Sequence, residues 1–501
     1  MTTNFILAPI LIHLLTAILL LFFWQRVTTQ KIISVAGNSI AFLFCIRLFQ
    51  HTLKNEHLLL QVGNWKAPFG IIFISDTFSA IMVLLTAFVS LAVGIYSTAA
   101  LNESRIKYGY FFTFHLLIMG LIGAFLTGDI FNLYVWFEVV IISSFILLTV
   151  GGKKMQMEGA IKYVTMNILA SAIFLTAIGV LYGITGTLNI ADISLKINAI
   201  ENRGLISVTS LLFFIGFGIK SAIFPLYFWL PSSYHTPPSA IASIFGGLLT
   251  KMGVYAMIRV FTIMFEPDDF TLNLFIIIAI MTMLTGIFGT INKKNIRRLM
   301  SYLIVCHIGY LIAGIGLYTD WAFAAVIFYL IHDVIVKSNM FMITGIIAKI
   351  RETTDMTRLG GLLKDYPKFS LTAALVFFSL IGIPPFSGFW PKILFLQESF
   401  KASQWILLVL FILASFVTLF VVIRFWIEAF WKESPKPLTE EIDHYEPIPM
   451  VKKVALMFPI VFLAVTSLYI GFNADRVMEL SEKTAYEIKN KEIYIKAVLQ
   501  K

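Results

Sequence analysis

Charge is scarce in this sequence. Of 501 residues, 13% are Asp, Glu, Lys or Arg and 58% are hydrophobic. A soluble domain carries about 25% charged residues, so a soluble protein of this length is excluded. Cysteine is almost absent. Cys45 and Cys306 are the whole supply, and both fall in apolar runs. That removes a disulfide framework, a zinc site and an iron–sulfur ligand set. No glycine-rich loop follows a strand pattern, which removes the phosphate-cradling nucleotide sites. Neither cofactor nor metal is expected, and redox chemistry would have to come from a partner.

What is present is a succession of long apolar runs. Only helices and closed barrels satisfy their own backbone in lipid. Unbroken runs such as 71–99 are helical in pattern rather than alternating. The expectation is an all-α polytopic membrane protein of about fourteen transmembrane helices. They are placed at 4–24, 32–50, 71–99, 108–127, 129–150, 159–186, 204–230, 239–264, 270–291, 301–318, 321–349, 370–396, 403–431 and 451–473. The net charge of +10 belongs to topology. With both termini outside, the inner loops and their flanks carry 20 Lys/Arg and the outer loops 5, as the positive-inside rule requires. No nucleic-acid partner is expected. The bilayer itself is the first partner.

Two spans look broken inside. One reads from Lys220 through Pro225 and Trp229 to Pro231, the other from Gly382 through Pro384, Pro385 and Pro391 to Lys392. Proline removes a donor and clashes with the preceding turn, so the helix must kink or unwind. The breaks fall in spans 7 and 12, five apart, and an odd offset reverses orientation. Spans 4–8 and 9–13 therefore read as two inverted five-helix repeats, although their residues match weakly. The division is 1–107 for helices 1–3, 108–264 for the first repeat, 270–431 for the second, and 432–501 for an inner loop, span 14 and a C-terminal tail. The tail reads as a surface amphipathic helix or a partner-docking arm. The loop 432–453, with Glu440, Glu441, Asp443 and Glu446, reads as solvated.

Ionisable residues inside spans are costly, about 2.5–3.5 kcal/mol each on insertion scales, and are functional by default. Lys220, Lys251, Lys337 and Lys392 are of this kind, with Glu138, His307, His332 and Asp333. A buried glutamate–lysine pair can gain or lose a proton when its separation changes. At 4 Å and a dielectric of 20 the pair is worth about 4 kcal/mol. Lys220 is the expected partner of Glu138. Asp333 and Lys337, four apart on one helix, are expected to pair. His332 suits a relay, with His307 and Asp333 as accessories, and Lys392 ends the path. Arg259 stays charged and is structural or snorkelling. Asp76 and Asp129, at span starts, read as caps or contacts. Each group also has a plainer reading: a packing histidine, a static pair, a lysine reaching the interface.

These residues resemble a known signature. Gly218-Ile-Lys220 through Pro225, Trp229-Leu-Pro231, Pro237-Pro238 and Lys251-Met-Gly253-Val-Tyr255 to Arg259 are similar to the antiporter-like membrane subunits. That group comprises the proton-pumping subunits of respiratory complex I and the large subunits of Mrp-type Na+/H+ antiporters. Trp136-Phe137-Glu138, the His332 to Lys337 spacing and the run Gly382 to Lys392 continue the match, and within the group the Mrp D type is nearest. Lysine rather than glutamate at 392 disfavours one complex I type, and the length is too short for the Mrp A type. There are departures. Asn295-Ile-Arg297-Arg298 lacks the usual acid, Pro231 to His235 lacks another, and Tyr227 stands where many relatives carry histidine.

The resemblance implies a transporter subunit rather than an enzyme. Protons would pass Glu138, Lys220, Lys251, His332, Lys337 and Lys392 to drive sodium efflux across a bacterial plasma membrane. The implied partners are subunits of the Mrp A, B, C, E, F and G types, with H+ and Na+ as the ions carried. The alternatives are a proton-pumping subunit of a quinone-linked complex and an inert assembly scaffold.

Overall fold

The computed structural model describes residues 3–55, 57–433 and 449–500. Among them the chain is a bundle of helices with one two-stranded sheet. Among the described residues twelve helices are long and apolar enough to cross a membrane, and two shorter apolar helices, Tyr110–Leu126 and Pro367–Ile381, stand among them. This is a multi-pass membrane protein. The acidic positions Glu440, Glu441, Asp443 and Glu446 lie outside the described residues.

Lipid offers nothing to the free N–H groups of a helix start, so side chains cap them. Asp129 accepts from the Asn132 N–H at 2.8 Å. Asn189 accepts from Ala191 and Asp192, Asp268 from Thr271, and Thr319 from Ala322. Asn295 caps Arg297 and Arg298 at 3.1 Å, so a neutral amide does this local work.

The run 71–99 is not one helix, which corrects the bounds expected for the third span. Ile72–Asp76 is a strand antiparallel to His57–Gln61, with His57 opposite Asp76 and Gln61 opposite Ile72. Asp76 and Ser79 form a reciprocal capping box that starts the helix at Thr77. With the helix stopped there, Ile72-Phe73-Ile74 has the β-branched and aromatic character that suits a strand. Hydropathy alone does not distinguish the two.

One series of devices occurs twice. A capped helix, Ile130–Thr149 or Ile296–Leu317, precedes a 32-residue helix, Lys154–Thr185 or Asp320–Arg351. A backbone bridge then ties the following turn to the first cap, Asp129 with Asn189 and Asn295 with Asp355. The interval from Asp129 to Asn295 equals those from Lys154 to Asp320 and from Asn189 to Asp355. In each set the next helix breaks. Arg203–Ser221 stops at Ala222 and Pro367–Ile381 at Gly382, both left-handed, with φ of 61° and 82°. The N–H groups of Ile223 and Ile383 turn back to the carbonyls of Gly218 and Phe378, a Schellman closure. Pro225 and Pro385 each follow three residues later and keep the helix from resuming at once. Helix restarts at Trp229 and at Phe389.

The axis of the bundle is the pair Ser239–Met264 and Asp320–Arg351, both enclosed along their apolar length. The second runs about 48 Å at 1.5 Å per residue, more than the ~30 Å of a hydrocarbon core. Leu7, Leu59 and Gln500 line one cleft, so both described chain ends lie at the same end of the bundle. There the tail folds back as Ala474–Lys489 and Lys491–Leu499. Lys489 pairs with Asp320 at 3.1 Å, Lys491 with Glu266, and the Thr77 hydroxyl donates to Glu487 at 2.9 Å. The tail is an arm docked on its own bundle.

Candidate functional site

The four lysines of the apolar runs are all interior: Lys251 and Lys337 are 0% exposed, Lys220 4% and Lys392 6%. A buried ammonium requires an anion or oxygen atoms around it. The four meet this demand differently.

Lys251 follows a π-helical stretch, Phe245–Leu249. π-Helical segments disturb the backbone ladder and cluster at functional positions. Here the Gly246 carbonyl accepts from Lys251 Nζ at 2.8 Å. Nζ also lies 2.7 Å from Asp333 Oδ2 on the neighbouring axial helix. The two helices must touch for this. A Cβ on residue 247 would fall 2.0 Å from Ser338 Oγ, so Gly247 permits the approach. The other Asp333 oxygen faces His307 Nδ1 at 3.3 Å. Asp333 therefore joins a lysine of one half to a histidine of the other.

The spacing predicted an Asp333–Lys337 pair, and the structure corrects it. Lys251 arrives from the adjacent helix, already backed by a carbonyl, and occupies Oδ2. Lys337 Nζ makes no hydrogen bond among the described residues, although Asp333, Lys251 and Lys392 act on it electrostatically. Lys392 does not snorkel. It donates to the carbonyls of Leu380 and Ile381 at 3.2 and 2.8 Å, acceptors that the helix break leaves free. His332 Nδ1 sits 2.8 Å from Ser387 Oγ within that break.

The expected direct Glu138–Lys220 pair is also corrected: no ion pair within 4 Å joins them among the described residues. Lys220 donates instead to Ser171 Oγ at 3.1 Å and stands 4.7 Å above the Phe137 ring. Glu138 is half-buried, and its Oε1 has no hydrogen-bond partner among the described residues. The carboxylate still acts on Lys220 electrostatically. Consecutive residues project about 100° apart around a helix, and here it is the Phe137 ring that meets the lysine. Beside Lys220 a cavity of about 10 Å³, room for one water, is lined by Asn167, Trp229, Tyr234 and Met252.

Arg259 is held by interior partners rather than reaching to an interface. It pairs with Asp76, donates to Tyr255 Oη at 3.0 Å and lies 5.6 Å from the ring of Tyr494 on the arm. Asp129 is a cap, accepting from the Asn132 N–H. On the arm, burial pushes the pKa of Glu487 up to about 7.

Sequence reading ranked Asp333 as an accessory and missed Ser171, Ser387 and the Gly246 carbonyl. Single serines carry no signal of what they will face. It also passed over a buried trio near the N-terminus. His13 Nδ1 lies 2.8 Å from His115 Nδ1, and Ser34 Oγ 2.9 Å from His115 Nε2.

The sequence matches the family described as NADH:quinone oxidoreductase/Mrp antiporter, transmembrane, over residues 127–418. It is 38% identical over 499 residues to the D-type subunit of the Na(+)/H(+) antiporter of Alkalihalophilus pseudofirmus, covering 99% of each chain. The fold superposes on a chain of the Mrp complex from Dietzia sp. with a TM-score of 0.90 at 27% identity, covering all of both. A chain of an archaeal respiratory membrane complex, the membrane-bound sulfane sulfur reductase, gives a TM-score of 0.88 at 25% identity, over 99% of this chain and 100% of that one.

Proposed function

This chain belongs to the NADH:quinone oxidoreductase/Mrp antiporter family, and on that premise we propose that it is the proton-translocating subunit of a multisubunit Na+/H+ antiporter. It is a transporter component that works in a hetero-oligomeric membrane assembly. We place it in a bacterial plasma membrane with both termini outside and fourteen spans. Residues 108–264 and 270–431 form two inverted five-helix repeats, flanked by 1–107 and 432–501; the twice-used series of caps, bridges and breaks supports this division. Full-length similarity to subunits named as antiporter components favours antiport over a redox-driven pump. Partners of the Mrp A, B, C, E, F and G types would complete the sodium route.

One observation carries the reading: Asp333 contacts Lys251 and His307 at once, inside the bundle, with Lys337 unpaired nearby. Loading or removing a proton on any of these changes what the others face. Two charges 4 Å apart at a dielectric of 20 interact by about 4 kcal/mol. A 100 mV membrane potential supplies about 2.3 kcal/mol per charge. The field is thus of the same order as the rearrangement it must drive. Protons enter by Glu138 and Lys220, pass Lys251, Asp333, His332 and Lys337, and leave by Lys392. Glu138→Gln, Lys220→Ala and Lys251→Ala should each abolish antiport in everted vesicles, read with a pH-sensitive dye, at unchanged complex abundance. Wild-type exchange in Lys251→Ala would remove the proposed path.

A further inference from the structure

Hydroxyls close the second helix break. His332 Nδ1 lies 2.8 Å from Ser387 Oγ, Ser387 Oγ lies 2.8 Å from Ser467 Oγ, and Ser467 donates to Ser379 Oγ at 2.9 Å. The four side chains come from the Asp320–Arg351 helix, the break, the Met450–Phe472 helix and the Pro367–Ile381 helix. None is more than 2% exposed. Ser467 stands beyond residues 127–418, the stretch that the family signature covers.

A hydroxyl has one proton to give. Ser467 gives its proton to Ser379, so it accepts from Ser387. Ser387 has then spent its own, so it accepts from His332. The imidazole therefore carries its proton on Nδ1 and leaves Nε2 bare. Nε2 is buried without a hydrogen-bond partner among the described residues. The approach to it is kept narrow: a Cβ on residue 388 would lie 3.0 Å from Nε2 and 2.1 Å from the Ser379 carbonyl, so Gly388 is required there. Asp333, Lys392, Lys337 and Lys251 are the charged groups that act on this ring, and Tyr329 is the ring beside it.

We propose that Ser379, Ser387 and Ser467 are positioning residues that lock the tautomer of His332, so that Nε2 is the atom which receives the translocated proton. The partner of one ring nitrogen sets the role of the other. Reversing the tautomer would require all three hydroxyls to turn together. The inference deepens the proposed function and rests on His332 carrying protons. It brings the Met450–Phe472 helix into the transport machinery through Ser467, whose hydroxyl bonds to Ser387 and Ser379.

The test uses the whole complex labelled with 15N-histidine, with the His332 signals assigned by difference from His332→Gln. Wild type should show a protonated Nδ1 and a bare Nε2. Ser467→Ala and, independently, Ser379→Ala should mix the tautomers and lower turnover per complex roughly fivefold, what one neutral hydrogen bond is worth. The apparent sodium affinity should not change. Ser467→Thr, which keeps the hydroxyl, should restore both readouts. Unchanged tautomers in both alanine variants, with His332→Gln inactive, would overturn the lock alone. Reduced abundance at normal turnover per complex would reduce the serines to packing and overturn it as well. Normal antiport in His332→Gln would overturn the proposal through its premise.

Discussion

The two halves of the bundle share a backbone plan and differ in what they put on it. At matching positions of the two 32-residue helices stand Asn167 and Asp333, and again Ser171 and Lys337. The first half thus holds its lysine, Lys220, with a neutral hydroxyl and an aromatic face. The second half carries the acid, two histidines and two lysines, and lends its acid to Lys251 of the first. A duplicated frame need not duplicate chemistry. One half supplies a weakly held cation and the other a concentrated charge cluster, and the only ion pair joining the two axial helices among the described residues is Lys251–Asp333.

The difference can be broken most severely at that pair. Asp333→Asn leaves the Lys251 ammonium buried against carbonyl oxygen alone. Removing one partner of a buried pair costs about 3–5 kcal/mol, more than two decades in rate if it falls on the transport barrier. Antiport per complex should drop below roughly 1% of wild type, with thermal stability of the detergent-solubilised complex lowered too. Retention of more than half the activity would show that the two halves work without the pair. The neutral side should be less sensitive. Ser171→Ala takes one hydrogen bond from a charged donor, worth about 1.5–3 kcal/mol, and the adjacent water-sized cavity offers a replacement oxygen. Dye-monitored exchange should fall about tenfold. A loss as complete as that of Asp333→Asn would erase the contrast between a weakly and a strongly held lysine.

The smallest effect concerns the arm, which touches both halves. Burial raises Glu487 to about 7, so the docked arm favours the neutral acid. A group whose folded pKa is raised stabilises below its unfolded value and loses that contribution as pH climbs through the folded one. Docking should therefore weaken between about pH 4.5 and 7 and stay weak above. Hydrogen exchange of 474–499 should quicken from pH 6 to pH 8, after correction for intrinsic rate. Glu487→Gln should flatten that dependence. A persistent pH step in the variant would assign it elsewhere.

Much of this was legible in one dimension. Apolar runs long enough to span lipid leave the backbone no choice but helix, and the breaks at Pro225 and at Pro384-Pro385 follow from a missing donor. The burial of the four lysines is likewise written in their neighbours. Pairing was not legible. A period of 3.6 relates Asp333 to Lys337 on one helix, but a neighbouring helix carried close by Gly247 brings Lys251 to the same oxygen. The strand at Ile72–Asp76 was hidden for a related reason: hydropathy records solvent preference, while a single capping aspartate decides where the helix begins.

By itself, then, the chain specified its solvent, its helices, its interruptions and which charges would leave water. Those depend on local composition and on backbone donors that every residue carries. Tertiary structure alone decided who faces whom. That choice gave Asp333 to Lys251, Ser171 to Lys220, the broken carbonyls to Lys392 and a line of hydroxyls to His332. Such contacts depend on distances of a few ångströms between residues far apart along the chain, and interhelical packing, not sequence spacing, sets those distances.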